Sequence, residues 1–134
     1  INTHKMTLLQ TYQVGQSHLL IANIHAINFV TTESFEKQIQ DLYETIRLHR
    51  GPIIFAGDFN TWSEERTNVL NHYINLLGLR PVSFIPDQRK RFFDLPLDHI
   101  FVSREISVLD SKTWPFIKGS DHIALEATIK IQSL

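Results

Sequence analysis

The stretch Ile53-Ile54-Phe55-Ala56-Gly57-Asp58-Phe59-Asn60 decides the fold. Its first four residues are apolar without alternation, the mark of a short strand buried on both faces, and its last four end that strand in a polar turn. Working outward, Ser34 reads as a helix N-cap. Behind it Phe35, Ile39, Leu42, Tyr43 and Ile46 recur at spacings of three and four, one face of an amphipathic helix that Gly51-Pro52 closes. On the other side Ser63, with Glu64 and Glu65 in the first turn, opens a second helix carrying Leu70, Tyr73, Ile74 and Leu77 and stopping at Gly78. Before the first helix, Met6 to Val14 and His18 to Phe29 form two strand-like runs about a Gly15-Gln16 turn. Beyond the second, Pro81 to Pro96 reads mostly as loop, with a short strand at Val82 to Ile85. Strands follow at Leu97 to Val102, Ile106 to Trp114 and His122 to Ile131. The last alternates, with Ile123, Leu125, Ala127, Ile129 and Ile131 on one side and Ala124, Glu126, Thr128 and Lys130 on the other. The order ββαβα(β)βββ predicts an α+β (α/β) fold, a mixed and mostly antiparallel sheet with helices on one face. The other face then needs a partner layer, and no helix remains to supply it.

The chain has 134 residues and a mass of 15.6 kDa, the size of one domain. Lys plus Arg number 13 against 14 Asp plus Glu, giving a net charge of −1, which argues against a protein held to nucleic acid by bulk charge alone. It has no cysteine, so disulfides, thiolate metal sites and cysteine nucleophiles are excluded. No apolar run approaches the ~20 residues of a bilayer span and no signal-peptide pattern opens the sequence, so a cytoplasmic location is favoured. Because the first residue is Ile1 and not methionine, the chain is expected to be a piece of a longer product.

Four polar clusters interrupt the strands: Asn23 to Asn28, Gly57 to Asn60, Pro96 to Ile100, and Gly119 to His122. Residues two apart on a strand share a face, so Asp58 and Asn60 are expected to point the same way with Phe59 turned to the core. A carboxylate beside a carboxamide suits holding a water or metal against an anion, and turn formation accounts for the same residues. Asp121-His122 offers a carboxylate for a hard cation beside an imidazole usable near neutral pH; two solvated groups at a loop end would look the same. Asp98 breaks an apolar strand, and a buried carboxylate costs several kcal/mol unless paired. His122, a lysine or arginine, or water could relieve it. His25 is a polar group in an apolar strand, a position more often filled by a hydrogen-bonded structural histidine. No histidine pair has the His-Glu-x-x-His spacing of a helical zinc site.

Taken in order, His25-x-x-Asn28, Gly57-Asp58-Phe59-Asn60, Leu97-Asp98-His99-Ile100-Phe101-Val102 and Ser120-Asp121-His122 resemble the endonuclease/exonuclease/phosphatase (deoxyribonuclease I-like) superfamily from about Met6 to Ile131. The resemblance implies metal-assisted hydrolysis of a phosphoester by in-line attack of water. Asp58 would orient and deprotonate the water, and Asn60 would hold it or a phosphate oxygen. Asp121 would ligate magnesium (or manganese), His122 would contact the phosphate with its ring held by Asp98, and His25 and Asn28 would be further phosphate contacts.

One departure from the family pattern stands out. The family's first half carries an asparagine and a metal-binding glutamate without counterparts in this sequence. The chain is therefore expected to be the C-terminal portion, residues 1–134, of a four-layer αββα sandwich whose N-terminal half is a missing partner. Alone it should bind magnesium weakly, lack activity, and self-associate through its uncovered sheet. The substrate stays open among nucleic acid, phosphoinositide, lipid head group and small phosphate ester. Arg89-Lys90-Arg91-Phe92-Phe93 could grip a backbone and stack a base, or be a solvated loop with its phenylalanines in the core. Trp62 could line the cleft or pack under the second helix. A serine hydrolase is disfavoured because no Gly-x-Ser-x-Gly elbow occurs. The remaining rival is a degenerate family member serving as a noncatalytic binding or scaffold module.

Overall fold

The computed structural model describes residues 6–26, 31–115 and 117–132. A five-stranded sheet runs in the order β1 (Met6–Val14), β2 (Ser17–His25), β3 (Ile53–Asp58), β7 (Asp98–Val102), β4 (Arg80–Pro81). Helix α1 (Thr32–Ile46) carries the chain from β2 to β3, which lie parallel, while the other pairs in this sheet are antiparallel. Helix α2 (Glu64–Leu76) follows β3. Two hairpins complete the fold, β5 (Arg91–Phe92) with β6 (Leu95–Pro96), and β8 (Ile106–Trp114) with β9 (Ala124–Ile131).

The unbroken apolar run of β3 is explained by its central position, because both faces of the sheet are covered. On one face Leu20, Ala22, Ile24, Ile53, Phe55 and Phe101 meet Phe35, Ile39 and Ile46 of α1 and Leu70, Tyr73 and Ile74 of α2. Phe59 lies in this layer with no exposed surface, edge-on to Phe55 at 5.0 Å and to Phe101 at 5.5 Å. On the other face the β8–β9 hairpin packs Ile106, Val108, Leu125, Ala127, Ile129 and Ile131 towards Leu19, Ile21, Ile54, Ile100 and Val102. That hairpin is the partner layer the helices do not supply. It covers the face incompletely: Ile21, Ile54, Ile100, Leu125 and Ile129 remain half-buried.

Several boundaries differ from the sequence reading. The N-cap of α1 is Thr31, whose hydroxyl accepts from the Ser34 N–H at 3.1 Å, so the cap lies three residues before the expected one. Thr31→Ala should therefore cost about 1 kcal/mol in urea unfolding while Ser34→Ala costs only a few tenths. Ser63 does cap α2, accepting from the Arg66 N–H at 3.1 Å. No strand forms at Val82 to Ile85. Instead β4 takes Arg80 and Pro81 at the sheet edge, and the stretch read as loop folds into the β5–β6 hairpin. The second strand ends at His25, and its expected extension to Phe29 enters residues outside those described.

Candidate active site

The strand register assembles the site. Across the sheet His25 of β2 pairs with Asp58 of β3, and Asp58 pairs with Asp98 of β7. Directly paired residues point to the same face, so these side chains form one row at one end of the sheet, on the side of the β8–β9 hairpin. The bend before β9 brings His122 over the row. Its Nδ1–H donates to Asp98 Oδ2 at 2.7 Å, and its Nε2 lies 3.6 Å from Asp58 Oδ2. His25 Nε2 approaches the same Asp58 oxygen to 3.7 Å from the open side, its side chain 67% exposed. Asp58, Asp98 and His122 line a cavity of about 270 Å³ together with Asn23, Gly57, Ile100 and Leu125. The partner that relieves the burial of the Asp98 carboxylate is thus His122 and not an arginine or lysine.

Asn60 takes a different place from the expected one. β3 ends at Asp58, so strand alternation does not reach Asn60, which adopts a left-handed backbone at φ 49°. Its backbone N–H donates to Asp58 Oδ1 at 2.9 Å, and its buried side-chain amide donates to the Ala26 carbonyl at 2.7 Å. Asn60 thereby ties the Asp58 turn to the end of β2. Asp121 is exposed beside His122, and its carboxylate lies outside the group Asp58, Asp98 and His122, whose ligand atoms fall within 4.8 Å of one another. Asn28 lies outside the described residues.

Burial raises the Asp98 carboxyl above its ordinary range, and the His122 hydrogen bond only partly offsets this. For His122 burial opposes the charge, yet the hydrogen bond to Asp98 and the carboxylates of Asp98, Asp58 and Asp121 outweigh it and raise the imidazole above 6.5. Protonation of His122 therefore stabilises the fold fully below about pH 6.5, and that contribution is lost as pH rises through the raised value. In an NMR titration the His122 midpoint should lie above 6.5, and Asp98→Asn should lower it.

Two supports escaped the sequence reading. Arg66 is buried with its guanidinium between the rings of Phe35, at 4.7 Å, and Trp62, at 4.8 Å, and donates to the Asn60 carbonyl at 3.4 Å. Trp62 thus packs against the start of α2. On the other side Thr61 donates to the Pro96 carbonyl at 2.7 Å and meets His99 Nε2 at 2.8 Å. Arg89 approaches His99 Nδ1 at 3.3 Å and donates to the Asp98 carbonyl at 3.0 Å. With its hydroxyl proton on Pro96, Thr61 accepts from His99 Nε2–H, which leaves Nδ1 to accept from the guanidinium. Burial first and Arg89 second press the His99 pKa down to about 4, so the ring stays neutral. Asp87 holds Arg89 at 2.7 Å and Arg91 at 2.8 Å and is itself lowered to about 2 by the Arg89 hydrogen bond. Two of the three cations read as a phosphate grip are therefore already paired with a carboxylate. No residue spacing encodes these long-range bonds; an arginine on the first turn of a helix gives no sign of being buried.

The profile of the "Endonuclease/Exonuclease/phosphatase family" matches residues 5–122. A UPF0294 protein of Yersinia enterocolitica is 40% identical over 120 residues, covering 88% of this chain and 45% of that protein. The chain thus spans about half the length of the curated relatives it matches. Among solved structures, an endonuclease/exonuclease/phosphatase from Beutenbergia cavernae superposes with a TM-score of 0.72 at 16% identity, over 96% of this chain and 40% of that one. The human Nocturnin catalytic domain with a bound sulfate anion superposes at 0.70 and 21% identity, over 98% and 55%. With the profile spanning most of its length and the fold shared, the chain belongs to the endonuclease/exonuclease/phosphatase family.

Proposed function

We propose that the pocket hydrolyses phosphoesters with the help of a divalent cation, and that it does so as one portion of a larger four-layer domain. The reading rests chiefly on one observation, the His25–Asp58–Asp98 row closed by the 2.7 Å bond from His122. The donor set fits a hard cation: two carboxylates and one imidazole within 4.8 Å, with Asp121 next to His122 in the chain. Asp121, with Asp58, would hold magnesium or manganese there, and the ion would supply charge neutralisation at the phosphate. Asp58 orients and deprotonates the attacking water. Its second oxygen is fixed by the Asn60 N–H, so the free one faces the pocket between two imidazoles. His122, kept protonated by Asp98, donates from Nε2 to a phosphate oxygen and stabilises charge as it develops. His25 is a second donor at the mouth.

The half-buried Ile21, Ile54, Ile100 and Leu125 support a further layer against this face, supplied by the N-terminal portion of the family's domain together with a ligating glutamate. The test is hydrolysis of a diester, a monoester and an oligonucleotide, with magnesium, manganese or chelator. It compares the 134-residue chain with the protein at its relatives' length. Turnover by the longer protein only, abolished by chelator, is the expected result. Magnesium-dependent turnover by the 134-residue chain alone would refute the need for a further layer. Inert behaviour of the longer protein on every substrate would favour the noncatalytic module.

A further inference from the structure

We propose that the rim of the pocket is an interfacial surface that seats the protein on an anionic lipid bilayer. For lipid phosphate as substrate this rests on the phosphoesterase reading; for binding it rests on the rim alone. Five large apolar side chains stand out of the rim: Ile85 at 91% exposure, Phe93 at 77%, Ile117 at 54%, Phe92 at 50% and Trp114 at 46%. They come from segments separate in sequence that meet at the pocket end of the sheet. The β5–β6 hairpin runs through Leu97 directly into Asp98, and Trp114 pairs with Ala124, two residues past His122. Ile85 and Trp114 line one small cavity of about 120 Å³.

The segments are bound to one another, so the crest is a built surface. Asp87 pairs with Arg91 at the base of the hairpin at 2.8 Å, and Thr113 donates to the Pro86 carbonyl at 3.2 Å. At the hairpin tip both Phe93, φ 50°, and Asp94, φ 64°, are left-handed, the conformation of a two-residue turn that asparagine and glycine fill without strain. An aromatic there is strained, and its ring touches little of the protein beyond the edge-to-face contact with Phe92 at 4.5 Å. The Arg91 guanidinium steadies the tip by donating to the Asp94 carbonyl at 2.9 Å, but among the described residues no core contact repays exposing a phenylalanine there, which points to a partner outside the molecule.

The chemistry around the crest selects the partner. Lys90, Lys112 and Lys118 neighbour these side chains in sequence, with Lys112 Nζ 5.9 Å over the Trp114 ring and 3.7 Å from Asp110. Apolar tips with a cationic collar suit insertion at the boundary of an anionic leaflet. A nucleic acid needs exposed rings and free cations, whereas Ile85 and Ile117 have no π-face and Asp87 already holds Arg89 and Arg91.

The experiment is co-sedimentation of the 134-residue chain with vesicles of phosphatidylcholine alone or with phosphatidylglycerol, compared with Phe93→Asn. Asparagine accepts the left-handed turn, so the variant should melt at the same temperature or higher, which separates lost binding from lost folding. Wild type should bind the anionic vesicles in a salt-sensitive way, and Phe93→Asn should bind about tenfold more weakly. Equal binding by the variant would overturn the proposal. So would binding to a single-stranded oligonucleotide with none to vesicles, which would assign the crest to nucleic acid. Because no turnover is read, vesicle binding without any phosphoesterase activity would leave the lipid surface standing and fail only the catalytic reading.

Discussion

Replacing His122 with alanine is expected to slow phosphoester hydrolysis by the protein at its relatives' length by about 10²–10⁴-fold, with the loss in kcat. The imidazole stands with Nε2 3.6 Å from Asp58 Oδ2, close enough for both to reach one phosphate and its attacking water as the proposed hydrolysis requires. A donor that meets charge developing in the transition state contributes to the rate more than to ground-state binding. Asp98→Asn should act through the same imidazole, because Asp98 raises its pKa and fixes Nδ1 as the bonded nitrogen. The double variant should therefore be little slower than His122→Ala alone. Steady-state kinetics at saturating magnesium check both statements. Additive losses from the two substitutions would mean that Asp98 acts independently, as a metal ligand in its own right.

Gly57→Ala should be the most damaging single-methyl change in the protein. Gly57 has φ +140°, and a Cβ there would lie 2.0 Å from the Ile24 carbonyl oxygen and 2.9 Å from the Ile24 nitrogen. The obstruction is the backbone of β2, pinned by parallel pairing with β3, so no side-chain rotation relieves it. Strain at this φ adds to the clash. A loss of at least about 4 kcal/mol is expected, a large share of the stability of an ordinary domain. Urea unfolding followed by circular dichroism measures it. As a comparison, Phe55→Ala should cost about 3–5 kcal/mol by leaving a cavity in the helix-side layer.

The pH response of the intact chain combines two histidines working in opposite directions. His122 stabilises the fold in acid, as derived above. His99, held neutral with a pKa of about 4, costs stability as pH falls below its ordinary 6.5. The His99 effect should dominate below pH 6, because its ring is the more deeply enclosed of the two.

Much of the frame was legible in residue order because it rests on local rules. The buried run Ile53 to Ala56 does form the central strand, Phe59 does turn into the core, and Ser63 does cap α2. Legibility failed where a local rule had two readings. Thr31 and Ser34 are both acceptable caps, and only the packing of Phe35 and Ile39 against the sheet fixes which one starts the helix. Phe92 and Phe93 follow a basic run in a proline-containing stretch, with no periodicity to show a hairpin, and the tip departs from ordinary turn chemistry. At the site, Asp58, Asp98, His122 and His25 could be named one at a time, but no spacing states that their strands are neighbours in register. The Asn60 reading went astray because the strand rule was carried two residues past the strand's end. The supports Arg66, His99 and Arg89 depend on contacts made only after folding.

On the proposed function, segments far apart in sequence form one cation- and phosphate-binding pocket. Proton NMR of the histidine rings during addition of manganese and inorganic phosphate tests it most directly. The rings of His122 and His25 should broaden first, ahead of those of His18 and His49, which are joined by the bond from the His49 ring to the His18 carbonyl at 2.8 Å beside Gly51. Asp58→Asn should abolish that order. Broadening that starts at His18, His49 or His72, or that reaches every ring together, would contradict the account.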